Sequence, residues 1–199
     1  MKERQIVLAS ASPRRKELLE QMGLTFRVIP SEKEELITGD TPKEIVENLS
    51  RQKAEDVAVR LEEEGKMWVE EEPVLVIGSD TIVVCENEIM GKPRSQEEAF
   101  AMLHKLQGRV HEVYTGVTIA KAEKRKITCD TFSEHTSVKV HTMEEAEIRD
   151  YIGKGESMDK AGAYGIQGSF AVFVEKIEGE YSTVLGLPVA ALYQALKRQ

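Results

Sequence analysis

Cysteine, aromatic residues and long apolar runs are all scarce in this chain, and positive charge is in deficit. The two cysteines, Cys85 and Cys129, lie far apart with no CxxC and no nearby His pair, which excludes a disulfide scaffold and argues against a zinc site. Both fall in strand-like stretches and read as reduced core thiols, so the expected compartment is the cytoplasm. No stretch approaches the ~20 apolar residues of a membrane span, and residues 1–20 lack the apolar core of a leader. Lys and Arg number 27 against 35 Asp and Glu, a net charge of −8. That balance disfavours a general nucleic-acid binder, which presents a basic face. With aromatics at 6% and one Trp, the chain also lacks a series of base-stacking rings. GxxxxGK[ST] and GxSxG are absent, and the glycines after Gly162 miss the GxGxxG spacing. The four histidines form no metal-spaced set, and His135 and His141 read as solvent-facing. The sequon Asn48-Leu49-Ser50 falls within a helical pattern and is discounted.

What is present is a 199-residue chain with 41% apolar and 31% charged residues, enough for one large domain or two small lobes. Strands are expected at Gln5–Ser10 and Phe26–Pro30, and at Pro73–Gly78, resuming at Ile82–Cys85 after an interruption by Ser79-Asp80-Thr81. Asn87 and Glu88 suggest a hairpin turn. Arg109–Ala122 and Lys126–Val140 read as long antiparallel strands joined at Glu123–Arg125, and Phe170–Ile177 as another strand. Helices are expected at Pro13–Met22, closed by Gly23, from Thr41-Pro42 to about Leu61, from Ser95 to Leu106, from Thr142 to about Ile152, and over Pro188–Leu196. Ser95/Glu98 and Thr142/Glu145 have capping-box spacing. Glu62–Glu72 is a charged connector with Trp68 packed on the surface. The fold class is mixed α/β with long hairpins, and a cleft between a parallel part and a hairpin lobe is expected.

The stretch Leu8-Ala-Ser-Ala-Ser-Pro-Arg-Arg-Lys-Glu-Leu-Leu19 sets three cations in the first turn of a helix, where the dipole is already positive. An anion resolves that conflict: backbone N–H groups, Ser10, Ser12, Arg14, Arg15 and Lys16 together suit a phosphate chain. Asp80, flanked by hydroxyls at the end of an apolar strand, needs a partner, a metal or a proton. Lys92 sits in the rigid turn Gly91-Lys92-Pro93, while Lys53 by itself reads as a helix-surface lysine with a buried stem. Thr115-Gly116 inside a strand signals a bulge or close backbone approach. Lys160–Gly168, with three glycines, suits a loop that wraps a ligand, and the Gln167 amide can read the edge of a base. Glu32, Glu34, Glu35 and Asp40 form an acidic loop that, with Asp80, is able to hold Mg²⁺.

In order and spacing, SxSPRR at Ser10–Arg15, SDT at Ser79–Thr81, GKP at Gly91–Pro93, KAGAYGIQG at Lys160–Gly168 and GLP at Gly186–Pro188 resemble the Maf family of nucleotide pyrophosphatases. The resemblance spans almost the whole chain and implies a single domain over residues 1–199. Its implied fold is like that of the inosine-triphosphate pyrophosphatases, an elongated mixed sheet with helices and two lobes around a central cleft. The implied activity is Mg²⁺-dependent (or other divalent cation) cleavage of a nucleoside triphosphate to the monophosphate and pyrophosphate, with a link to arrest of septum formation. Arg14, Thr81 and Gln167 match the positions thought to set base preference and resemble the dTTP/UTP branch; a sister branch acting on 7-methyl-GTP carries Trp, Gln and Glu there. Asp80 matches the family's proton acceptor, and Lys53 and Lys92 its phosphate-binding lysines. Asp80, with Glu34 or Glu35, is expected to hold the metal; Asp80 as base and Asp80 as metal ligand are both left open. A homodimer is plausible for the family. A non-catalytic nucleotide sensor controlling septum formation is the alternative, and nucleic acid and membrane are not expected partners.

Overall fold

The computed structural model describes residues 5–69, 72–123 and 126–199. Its main sheet has seven strands in the order β2-β1-β5-β7-β8-β9, with β6 pairing β5. These are β1 (Ile6–Leu8), β2 (Phe26–Val28), β5 (Leu75–Cys85), β6 (Glu88–Met90), β7 (Val110–Glu123), β8 (Lys126–Val140) and β9 (Val174–Glu178). A separate two-stranded pair, β3 (Trp68–Val69) and β4 (Glu72–Pro73), lies inside what the sequence presents as a plain charged connector. Trp68 is exposed there, as expected. The helices are α1 (Pro13–Gln21), α2 (Pro42–Glu63), α3 (Gln96–Leu106), α4 (Glu145–Gly153), α5 (Tyr181–Leu185) and α6 (Val189–Arg198). The sheet is mixed: β1 runs parallel to β2 and β5, whereas β5–β6 and β8–β9 are antiparallel.

The chain forms two compact units. The first comprises Met1–Asp80, Thr115–Glu134 and Gly186–Gln199. Its core joins Val7 and Ala9 to Ala54, Val57, Ala58 and Leu61 of α2 and to Val74, Val76 and Ala120. The 22-residue α2 starts with a capping box, Thr41 and Glu44 each closing on the other's backbone N–H. It lies unusually close to the sheet. A Cβ on Gly78 would meet Ser50 O at 2.3 Å, and one on Gly116 would meet Val46 O at 2.1 Å. The Thr115-Gly116 signal therefore marks a close approach of helix and strand, and Gly78 marks a second that the sequence left unremarked.

The second unit comprises Thr81–Tyr114 and His135–Leu185. Tyr151, Phe170, Leu103 and Ile148 are fully buried in it. The Tyr164 and Phe170 rings lie 4.7 Å apart, and Arg149 covers Phe100 at 4.5 Å.

Several expected boundaries move. Ser79-Asp80-Thr81 does not interrupt β5: β1 pairs residues 75–77 and β6 pairs 83–85, so the polar triplet lies between two pairings within one 11-residue strand. The hairpin turn is Glu86-Asn87, both at positive φ (51° and 64°), as a two-residue turn of this kind requires; Glu88 already belongs to β6. Helix α4 is capped by Glu144, whose N–H donates to Glu147, rather than by Thr142. Ser169–Phe173 is a 3₁₀ turn, so the strand expected from Phe170 starts at Val174, and α5 was not foreseen. The expected turn at Glu123–Arg125 has two residues, 124 and 125, outside the described part. No helix among the described residues is long and apolar enough to cross a membrane.

Candidate functional site

In the first unit, the segment after β1 builds a hydroxyl-guanidinium node. Ser12 caps α1, its side chain accepting from the Arg15 N–H, and Pro13 fills the first helical turn. The Ser12 N–H donates to Ser10 Oγ at 3.2 Å, and Arg15 Nη1 donates to the same oxygen at 3.1 Å. Arg15 Nε donates to the Gly186 carbonyl at 2.8 Å, and the Ser79 hydroxyl donates to that carbonyl at 2.8 Å. One carbonyl, in the residue that opens GLP, thus ties together SxSPRR and SDT. Gly186 has φ +104°, a conformation side chains rarely allow. Burial pulls the Arg15 guanidinium below its ordinary value; Asp80 opposes that shift, Arg14 adds to it and Glu35 opposes it. Arginine stays protonated regardless.

Side chains alternate along a strand, so Ser79 and Asp80 leave β5 on opposite faces. Ser79 meets Gly186, while Asp80 shares the face of Gly78, against which α2 presses. That contact brings Lys53 of α2 to Asp80: Lys53 Nζ donates to Asp80 Oδ1 and lies 3.0 Å from Glu35 Oε1. The Lys53 and Asp80 side chains are only 13% and 14% exposed, which corrects the reading of Lys53 as a surface lysine. Glu35 is brought in by its loop, Ser31–Asp40, which is not merely solvated. Asn48, Gln52 and Asp56, spaced four apart on α2, each hydrogen-bond to it, and Arg60, four residues further, bonds the residue before it and lies 3.3 Å from Glu32. Asn48 Nδ2 donates to Thr38 O at 2.9 Å, Gln52 exchanges two bonds with the Leu36 backbone at 2.8 and 2.9 Å, Asp56 accepts from Ser31 Oγ at 2.8 Å, and Arg60 donates to Pro30 O at 2.9 Å. Burial pushes the Asp56 carboxyl up, but the Ser31 hydroxyl and Glu32 N–H outweigh it and hold it below its ordinary value. Glu34 is exposed and takes no part in the Lys53 ion pairs.

Among the described residues no cluster of three or more His, Cys, Asp or Glu is placed to hold a metal. Two carboxylates, Asp80 and Glu35, do converge on one cation, the Lys53 ammonium. That donor set fits Mg²⁺, which binds through one or two protein carboxylates and completes its shell with water and phosphate oxygens.

In the second unit, Thr81 is half-buried and Lys92 is exposed. The Gly91 carbonyl accepts from the Gly162 N–H at 3.0 Å, which joins the GKP turn to the KAGAYGIQG loop. Gly162 has φ +68°, and a Cβ there would stand 3.1 Å from Val83. Tyr151 Oη accepts from the Gly165 N–H at 3.1 Å, and Tyr164 Oη pairs with His111 Nε2 at 2.7 Å. Burial pushes the Tyr151 phenol up to about 12 and His111 down to about 4, so His111 is neutral at pH 7. Tyr164 and Ile166 are buried, whereas Gln167 is exposed.

The structure therefore gathers Ser10, Ser12, Arg15, Lys53, Asp80 and Glu35 within the first unit, and Lys92 and Gln167 on two joined loops of the second. Ser79 and Gly186 are structural members of the site that the sequence offered only as letters of motifs.

A family profile described as Maf, "Maf-like protein", matches residues 5–199. A dTTP/UTP pyrophosphatase of Agathobacter rectalis is 50% identical over 198 residues, 98% of this chain and 97% of that protein. Relatives with the same name from Thermoanaerobacter pseudethanolicus and Carboxydothermus hydrogenoformans are 50% and 46% identical, covering 98% and 96% of this chain and 96% and 97% of theirs.

Proposed function

The chain belongs to the Maf family, and on that footing we propose that it hydrolyses dTTP and UTP to the nucleoside monophosphate and pyrophosphate. Near-full-length similarity to proteins named for that reaction supports the reading. The observation that carries the chemistry is the largely covered Lys53–Asp80 ion pair, with Glu35 at its exposed edge and Arg15 nearby, cations and carboxylates held together by tertiary packing. Arg14, Arg15, Lys53 and Lys92, with the Ser10 and Ser12 hydroxyls, are assigned to the triphosphate, whose charge they neutralise. Asp80 is assigned as acceptor of the proton from the attacking water. A carboxylate has about four acceptor positions, so the same group also serves as a metal ligand. Asp80 and Glu35 are the residues that would hold Mg²⁺; when bound, that ion neutralises charge on the departing pyrophosphate. Thr81 and Gln167 are assigned to the base, and one extra methyl changes binding by only ~1–3 kcal/mol, so a single pocket serves uracil and thymine. The cytoplasm is the proposed compartment, since both cysteines are free thiols.

The test is release of pyrophosphate from UTP and dTTP by the pure protein with Mg²⁺. Asp80→Asn is expected to fold normally and to lose about 10²–10⁴-fold in kcat. Absence of release by the wild type overturns the activity, and full activity in Asp80→Asn overturns the role of Asp80.

A further inference from the structure

Gln167 is the exposed side chain between two half-buried anchors of its loop. Upstream, the Gly165 N–H is bound by the Tyr151 hydroxyl at 3.1 Å. Downstream, the carboxylate of Glu156 takes Ser169 at two points: Oε1 accepts from Ser169 Oγ at 2.9 Å, and Oε2 accepts from the Ser169 N–H at 3.2 Å. Between them Gly168 has φ +89° and ψ −153°, a region closed to residues with a Cβ. The conformation therefore requires glycine, and a Cβ at Gly168, 2.6 Å from Glu156 Oε2, would also push the carboxylate aside. The backbone of Glu156 is held in turn, because Lys160 Nζ donates to its carbonyl at 2.6 Å, and the Lys160 stem lies under Gly165. Tyr151, Glu156, Lys160 and Ser169 all lie outside the residues assigned to the phosphates, the metal and the proton transfer.

We propose that Glu156 is a positioning residue for base selection: by clamping Gly168 and Ser169 it fixes the peptide that carries Gln167. The inference rests on the reading of Gln167 as the residue that meets the base. An amide that distinguishes one base edge from another has to be held to about 0.5 Å. A loop ordered before the substrate arrives also loses less entropy on binding. The two-point grip matters because a carboxylate accepts from both Ser169 donors at once. Glutamine at 156 keeps the size but gives up the charge that strengthens both bonds, and the Ser169 hydroxyl has to turn from donor to acceptor to meet the amide NH₂.

The experiment measures kcat and KM for UTP, CTP and GTP with Mg²⁺ in the wild type, Glu156→Gln, Ser169→Ala and Gln167→Ala, with thermal melts of each. Glu156→Gln is expected to lose roughly tenfold in the preference for UTP over CTP and GTP, the scale of one misplaced hydrogen bond. The loss falls mainly in KM for UTP, with kcat little changed. Ser169→Ala keeps the backbone half of the grip and is expected to move selectivity in the same direction by less, and it serves where Glu156→Gln folds poorly. The double variant should lose less than the product of the two single effects, because both break one clamp. An equal fall in kcat/KM for all three nucleotides, with the preference for UTP intact, makes Glu156 merely structural and overturns the proposal. If Gln167→Ala abolishes the preference while Glu156→Gln preserves it, the clamp alone is wrong. If Gln167→Ala leaves the preference untouched, the base-reading role falls and the clamp falls with it.

Discussion

Arg15 commits two of its N–H groups inside the protein, one to Ser10 Oγ and one to the Gly186 carbonyl. It therefore has a structural task beside any contact with phosphate, a distinction the adjacent pair Arg14-Arg15 does not advertise. A guanidinium serves both acceptors because its donors form a rigid fork, which an ammonium on a flexible stem does not reproduce. Arg15→Lys keeps the charge and is expected to lose about 1.5–3 kcal/mol of stability, the range for a hydrogen bond to a charged group. Urea denaturation of the variant checks this; an unchanged midpoint would mean that the node around Gly186 contributes nothing to folding. Lys53 teaches the same point from the other side. Its place in the sequence, among the apolar positions of a helix, gives no hint of Asp80, 27 residues on.

At the scale of elements, the site depends on how closely α2 lies on the sheet. Gly78 and Gly116 lack the side chains that would hold the helix off, and a Cβ on either would sit within 2.3 Å of a carbonyl of α2. Gly78→Ala and Gly116→Ala are expected to destabilise by roughly 1–3 kcal/mol or more, as overpacked sites do. Gly78→Ala should also lower kcat, because it moves the helix that carries Lys53 away from the strand that carries Asp80. Gly153→Ala is the control: nothing lies within 4 Å of a Cβ there and φ is ordinary, so its stability should hold or rise by about 0.4–1 kcal/mol. Matched urea midpoints for all three would refute the close-approach argument. The polar series Asn48, Gln52, Asp56, Arg60 was present in the sequence at helical spacing. It is legible as a face of α2, but not as the strap for the acidic loop, since its partners are mostly backbone groups.

For the folded molecule as a whole, the buried pair His111–Tyr164 sets a dependence on pH. Burial lowers His111 from 6.5 to about 4, so the folded protein prefers the neutral ring, and Nδ1 has no partner among the described residues. Below about pH 6.5 the unfolded chain binds a proton that the folded one resists. Stability is therefore flat with respect to this group above pH 7 and falls as pH drops from 6.5 to 4, by up to roughly 3 kcal/mol. Carboxylates titrate in the lower part of that window, so the informative quantity is the difference between wild type and His111→Gln. The variant should show a shallower loss of stability between pH 6.5 and 4.5 in urea melts. Equal slopes would show that His111 is protonated in the folded state.

The sequence by itself determined the α/β class, the main helices, their glycine and proline ends, and the motifs by which the family is recognised. These rest on local rules: periods of 2 and 3.6, capping over three residues, and short fixed spacings. Arg15, Asp80 and Gln167 were singled out because a cation at a helix start, an acid in an apolar strand and an amide in a glycine loop each conflict with their local setting. Tertiary structure alone decided that Asp80 lies within an unbroken strand, that Lys53 is its ion-pair partner, that Glu35 rather than Glu34 joins them, and that Gly186 joins Arg15 to Ser79. It also decided that Glu156 grips the peptide beyond Gln167. Each of these is a pairing of groups brought together by packing rather than by local spacing, and packing at a glycine or around a carbonyl leaves no periodic trace in the chain.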